Sequence, residues 1–494
     1  MTGFVASLVA AGLIGLLSIG CLGWRHAGGP GFRVLVGSLA VGVGLGLSSL
    51  AFFLWLSLVG APRGRFPLAE LGLLILLAGA ALHVRQRRRS GTQPSSAGGV
   101  AISLPPHPLL SLSLWLSAAC ATVAFLAQSA TSPQGGWDAW MTWTMHARAI
   151  YRGGDHWREV LAGLPMWSHP DYPLLVPGSV ARVWTYMGHE STLGPASVGM
   201  LFTFATAVLL YASVSILRSR TQGCLAALVL LGTKFFILHG ASQYADVPFG
   251  FFVLAVLALL ALAEVWPDDR PRLLVLAGVA AGLAAWTKNE GLLLLPAVLI
   301  GYSLAVVRAR GWRTGIGDAR AFAIGLAPVF ALVICFKLLV APPNDLMSDQ
   351  GLRQTTERLL EGHRYLAVLV GIGQGLLEIS VKGVLGVLLL GYALCAGPAP
   401  AGPWRTGVRT TAIVLSLVLA GYVAVLLTAP APLLGTNIRS IGRLLLQLWP
   451  SALFAYFLCL RTPEEAGLFG QRPGRAEGAP QGQDRPLLPL SEAT

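Results

Sequence analysis

The sequence predicts an all-α polytopic membrane protein with about thirteen transmembrane helices, and three observations predict it. Hydrophobic residues make up 54% of the 494 and charged residues only 12%, with a mean hydropathy of +0.67, a balance too apolar for a soluble globule. The apolar residues are gathered in runs long enough to cross about 30 Å of hydrocarbon at about 1.5 Å per residue. Those runs do not alternate, and a backbone in lipid must satisfy its own hydrogen bonds, which favours helices over barrel strands.

In chain order the runs lie near 4–23, 34–59, 66–83, 108–130, 195–217, 224–240, 247–266, 272–287, 291–307, 321–341, 383–396, 410–428 and 444–460. The first lacks a basic leader and a small-residue cleavage site followed by soluble sequence, so it reads as a retained helix and not as a signal peptide. Residues 1–90 then form three leading helices, and 91–107, rich in Ser, Gly and Pro, a cytoplasmic linker. Residues 108–460 form a core whose first external loop, 131–194, is large and carries short interfacial helices. The Gly-, Pro-, Glu- and Arg-rich tail, 461–494, is expected to be disordered and cytoplasmic. No internal repeat of fixed period is visible.

Charge sets the expected orientation. Arg25 and Arg33, the run Arg85, Arg87, Arg88 and Arg89, then Arg218 and Arg220, Arg270 and Arg272, Arg308, Arg310 and Arg313, and Arg405 and Arg409 fall in alternate loops. The positive-inside rule makes those loops cytoplasmic, with the N-terminus outside and the C-terminus inside. The net charge of +13 is then topological; its partners are anionic lipid headgroups, and no nucleic acid is expected. Cys21, Cys120, Cys224, Cys335, Cys395 and Cys459 all lie within or at the ends of apolar runs without CxxC spacing, so they read as packing residues.

This topology places every unusual polar cluster on the external face. The island at 131–194 concentrates Trp, His and Asp in TSPQGGWDAWMTWTMHARAIYRGGDHW and MWSHPDYPLLVPGSVARVW. Asp138 sits there between Trp137 and Trp140 at the end of a helix, where indoles favour the interface. Partial desolvation would make it a better base toward an attacking hydroxyl, and the alternative is an N-cap opening an interfacial helix over Ala139 to Tyr151. His169, Asp171 and Tyr172, framed by prolines, offer an imidazole, a carboxylate and a phenol for a sugar or a metal, or form a turn before a helix.

Tyr244 and Asp246 end one external turn; Asp246, two residues before Pro248, is either an N-cap or a second acid facing the loop. Lys288, Asn289 and Glu290 follow Trp286 at another, and Lys288 is one of four lysines in the chain. It reads either as a snorkelling cation or as a phosphate contact. Arg439 and Arg443 lie four residues apart on the side where topology disfavours positive charge, so they want an anionic partner, a lipid phosphate or an acid of the external loops.

WDAW, HPDYPLL, YADVP, KNEG and RLLLQLWP, in this order from about Pro108 to Leu460, resemble the bacterial membrane glycosyltransferases of the GT-C superfamily, which includes protein mannosyltransferases and lipid A aminoarabinose transferases. The resemblance implies an enzyme that passes a sugar from a polyprenyl-phosphate donor, with inversion, to a glycolipid, polysaccharide or protein acceptor outside the cytoplasm. By it Asp138 is the general base. Asp246 and Lys288, Asn289 and Glu290 bind acceptor, donor phosphate or a divalent cation, and Arg439 or Arg443 steadies the leaving phosphate. The metal requirement stays open. Three helices precede the core here, and the acid is followed by Ala139 where the family carries a second acid.

The competing class is a transporter or lipid flippase, and Lys234, inside an apolar run, is the residue that favours it. Scarce lysine beside abundant Arg, Ala and Gly suggests a bacterium of high genomic GC, and hence the inner membrane.

Overall fold

The computed structural model describes residues 1–25, 29–62, 64–89, 106–343, 351–430 and 440–468. The leading helices are α1 (Thr2–Cys21), α2 (Pro30–Leu58) and α3 (Phe66–Arg89). After α4 (Pro108–Thr131) the island folds into a wide π-helical turn at Ala139–Trp143 and the short helices α5 (Thr144–Gly153), α6 (Trp157–Ala162) and α7 (Leu175–Met187). The core continues with α8 (Leu193–Leu217), α9 (Arg220–Gly232), α10 (Lys234–Ala241), α11 (Asp246–Val265), α12 (Arg270–Thr287), α13 (Glu290–Arg310) and α14 (Trp312–Leu339). It closes with α15 (Leu352–Leu359), α16 (Gly362–Ile379), α17 (Val384–Ala396), α18 (Arg405–Thr428) and α19 (Ile441–Cys459).

Among the described residues ten helices are long and apolar enough to cross a membrane, or 12 spans if each bent pair counts as one. The remaining expected crossing is α12. Arg270 and Arg272 in its first turn lower its apolarity, yet its 18 residues run packed between α11 and α14. The all-α polytopic architecture therefore stands as expected.

Proline opens α2 and α4, where the missing N–H is an orphan in any helix. Small residues let helices touch where they cross. A Cβ on Gly15 would lie 2.0 Å from the Ala40 carbonyl oxygen, so α1 and α2 meet backbone to backbone; Gly325 does the same for α14 against Val275 of α12. The centre of the bundle is α11, whose apolar window is wholly buried among α8, α12, α18 and α19.

Two stretches take a shape different from that expected. The run at 224–240 is broken at Thr233, where α9 and α10 meet at 62°. The stretch between the runs expected at 321–341 and 383–396 holds a helix that stays at one end: Arg364, near the start of α16, donates to the carbonyls of Leu427 and Ala429, while Gly375 packs on Gly442 at the start of α19. Both ends of α16 thus lie at the same end of the bundle. After a bend of 81°, α17 descends to the other end, where the Ala399 N–H donates to the Cys459 carbonyl. An apolar stripe along one face let α16 lie across the bundle end without crossing.

The linker expected at 91–107 falls almost wholly outside the described residues. Of the tail, Thr462 to Glu465 is fixed in place, with Glu465 accepting from Arg218 and Glu464 from the Ser219 hydroxyl; the residues beyond 468 lie outside the description.

A candidate active site at one end of the bundle

The π-helical turn after α4, the segment before α7, the starts of α11 and α19, the turn between α12 and α13 and the last turn of α14 all meet at one end of the bundle, and Asp138, Asp171, Asp246, Lys288, Lys337 and Arg443 meet there with them. Asp246 is the first residue of α11, so its carboxylate stays at the helix mouth. It does not cap the helix. It accepts from Lys288 Nζ at 2.9 Å, from Gln447 Nε2 at 2.6 Å and from Arg443 Nε and Nη2 at 3.0 and 2.8 Å. With its side chain 1% exposed, Asp246 is a sealed anion held by two cations and an amide.

Arg443 lies in the first turn of α19 and Gln447 one turn on, so both project from one face toward Asp246. The third guanidinium nitrogen, Nη1, donates to Asp138 at 2.5 Å, and the guanidinium lies 4.5 Å over the Tyr244 ring. One arginine thus bridges two carboxylates brought from residues 305 and 197 positions away in sequence. The Asp138 side chain is 34% exposed, so it is the open member of the network. Its backbone is helical and its side chain makes no capping bond, which settles the cap expected for it: the carboxylate faces Arg443 instead. Partial burial, then the charge of Asp138, push the Tyr244 phenol above its ordinary value.

Lys288 joins the network to Glu290, at 2.7 Å, and is buried, so the snorkelling position is not the one found. Burial alone pushes its ammonium down, but the charges of Asp246 and Glu290 more than offset that, and it is held above the usual lysine value. Asn289 turns the other way, donating from Nδ2 to Asp171 at 2.8 Å. Asp171 also receives Lys337 Nζ, which donates to the Asp171 carbonyl at 2.5 Å and to Asn289 Oδ1 at 2.7 Å. Tyr172 stacks flat on Trp143 at 5.4 Å, with the Lys288 ammonium 6.0 Å from its ring. His169, in a left-handed conformation with φ 54°, rests against Tyr172.

The structure therefore brings together Asp138, Asp171, Tyr172, Tyr244, Asp246, Lys288, Asn289, Glu290 and Arg443, with His169 at the edge. Arg439 lies outside the described residues. Sequence reading missed three contributors. Gln447 stood within the quoted RLLLQLWP, and its helical spacing from Arg443 was the available signal. Lys337, a lysine near the end of an apolar run, was a second. His146, wholly buried, hydrogen-bonds through Nε2 to the Ser168 carbonyl at 2.9 Å and so ties α5 to the segment carrying His169 and Asp171. Burial brings its imidazole down to about 4. Among the described residues no three His, Cys, Asp or Glu side chains converge as a metal ion would need, and the acids of the network are met by lysine and arginine.

A bundle of membrane-length helices with an alternating network of acids and bases at one end defines a multi-pass membrane protein. Residues 169–335, about a third of the chain, match the family model described as dolichyl-phosphate-mannose-protein mannosyltransferase. With the ordered motifs, that match supports a membrane glycosyltransferase of the GT-C superfamily that uses a polyprenyl-phosphate-linked sugar donor. It takes in His169, Asp171, Tyr172, Tyr244, Asp246 and Lys288 to Glu290, and leaves Asp138 and Arg443 on either side. No curated protein and no solved structure matches the chain.

Proposed function

We propose that the protein transfers a sugar, with inversion, from a polyprenyl-phosphate donor to a hydroxyl of a glycolipid, polysaccharide or protein at the extracytoplasmic face of the bacterial inner membrane, with Asp138 as general base. The observation that carries this reading is the shared arginine: Arg443 is anchored by Asp246 through Nε and Nη2 while its Nη1 meets the open Asp138. Transfer from a lipid phosphate needs a base for the incoming hydroxyl and a cation for the departing phosphate, close together and at the membrane surface.

An arriving phosphate competes with Asp138 for Arg443 Nη1, since a guanidinium fork suits phosphate oxygens. Asp246 keeps the guanidinium oriented meanwhile, and Asp138 is freed to accept a proton. The acceptor oxygen then attacks the anomeric carbon, its proton passes to the Asp138 carboxylate, and the bond from that carbon to the phosphate oxygen breaks. The electron pair leaves with the polyprenyl phosphate, stabilised by Arg443 and, through the shared Asp246, by Lys288. Asp171, Asn289 and Lys337, with Tyr172, His169 and Glu290, line the route for acceptor or sugar.

Lys234, the residue that favoured transport, is exposed at the break between α9 and α10 and does not sit in the bundle centre. The decisive experiment reconstitutes the protein with a panel of radiolabelled polyprenyl-phosphate sugars, beside Asp138→Asn. Transfer by the wild type, lost in the variant with donor binding retained, is the expected result. Unchanged transfer in Asp138→Asn would move the base elsewhere; labelled lipid crossing the bilayer with no donor turned over would make the protein a flippase.

A further inference from the structure

At the end of the bundle away from the candidate active site, two cavities adjoin, sharing Leu22 and Val275 in their walls. The first, about 440 Å³, lies between the end of α1 and the start of α12 and sets the charged rim of Arg25, Arg272 and Asp268 over apolar walls of Leu22, Pro267, Pro271 and Val275. The second, about 350 Å³, is an apolar groove in the seam between the three leading helices and α12 and α14, walled by side chains such as Ile14, Leu47, Leu77, Val279 and Leu332. Along α1 its lining runs from Leu22 back to Ile14, about 12 Å at helical rise and most of one leaflet.

The rim is built and basic. Arg272 donates from Nε to the Leu22 carbonyl at 3.1 Å and from Nη1 to Asp269 at 3.0 Å, while Asp269 also accepts the Arg25 backbone N–H at 2.9 Å. That leaves the Arg25 side chain exposed on the rim. Gly23, at φ 61°, admits a third guanidinium: an added Cβ would stand 2.7 Å from Arg88 Nε. Three arginines thus gather around two acids, one of which, Asp269, is already engaged within the protein.

We infer that this seam is a binding site for one anionic phospholipid, its phosphate at Arg25, Arg88 and Arg272 and an acyl chain in the groove beneath. In a bilayer an apolar seam open at hydrocarbon depth is filled by lipid, and the net positive rim above it selects an anionic headgroup over a zwitterionic one. The bound lipid would then mortar the leading helices to the core. This inference does not depend on the transferase reading.

The test counts lipids held by the purified full-length protein in native mass spectrometry, with phosphatidylglycerol and phosphatidylcholine offered at equal concentration. The wild type is expected to keep one phosphatidylglycerol with a preference of about tenfold or more. Arg25→Gln with Arg88→Gln should erase the preference, both changes leaving the Arg25 backbone bond to Asp269 intact. Val279→Trp, which fills the groove without touching the rim, should expel the lipid of either kind. Equal retention of the two lipids by the wild type would overturn the site. Displacement of phosphatidylglycerol by millimolar glycerol phosphate would likewise overturn it, reducing the rim to a headgroup-only anion site.

Discussion

Two of the arginine–carboxylate clusters in the half of the molecule nearer the candidate site differ in one respect. Arg182 of α7 and Glu70 of α3 are both fully buried; Glu70 accepts from Arg182 Nε and Nη2 and from the Tyr186 hydroxyl, and Arg182 Nη2 also donates to the Ser7 carbonyl. Both charged groups are sealed, so the pair clamps α1, α3 and α7. Arg443 makes the same chemistry with Asp246, but its remaining nitrogen meets a carboxylate one-third exposed. A sealed pair braces; a pair with one open member can exchange that member for a substrate. Location in the fold does not separate brace from site, and access does.

The comparison breaks first at Asp138. Asp138→Asn should lower transfer by about two to four orders of magnitude, the usual contribution of a general base, while a partly exposed ion pair contributes only about 1 kcal/mol or less to stability. A radiolabelled transfer assay beside a thermal melt reads both; a large loss of melting temperature with intact turnover would make Asp138 another brace. Arg443→Lys keeps the charge but not the fork, and should cost about one hundredfold in kcat with donor binding weakened. Comparable turnover in that variant would argue against a bidentate role.

Glu70→Gln tests the other side. It leaves Arg182 buried and uncompensated, a loss of about 3–5 kcal/mol, and should depress the melting temperature without changing turnover per folded molecule. Replacing both members, Glu70→Leu with Arg182→Met, should recover most of that stability, because a buried ion pair and a packed apolar pair are close in free energy. The matching double replacement of Asp138 and Arg443 should recover no transfer. If it did, the two clusters would be equivalent and access would not be the distinction.

Most of the fold was legible because an apolar chain marks its own spans, and most of the site because polar residues are costly there and stand out. WDAW, YADVP and KNEG were visible as exceptions to the surrounding composition. Who pairs with whom was not legible. The bond from Arg443 to Asp138 closes 305 residues, and no local pattern could show that Asp138 serves a guanidinium and not its own helix. Glu70 and Arg182 were invisible for the same reason, each an ordinary charge in its own segment. The course of α16 was missed because Arg364, Gln374 and Glu378 interrupt its apolar residues and leave no unbroken run to mark it; only its contacts with α18 and α19 decide.

The smallest effect expected lies between the two clusters, at His146. Its ring is buried, packed in α5 beside α7, and held by one bond to the Ser168 carbonyl, so the folded protein keeps it neutral, with its pKa brought from 6.5 down to about 4. Below 6.5 the unfolded chain takes up a proton that the folded one refuses, so stability should fall as pH drops from about 6.5 to about 4, by about 3 kcal/mol in all. His146→Gln should flatten that slope in melts across this range and leave the melt near pH 8 lower by the loss of one well-packed ring. Because His146 positions the segment carrying Asp171 and touches no charge of the shared-arginine network, its acid sensitivity should appear in the melt and, at pH 7, leave the dependence of transfer on donor concentration unchanged. A shift of that dependence in His146→Gln would place the His169–Asp171 segment with Arg443 on the exchanging side of the comparison, and not with the brace.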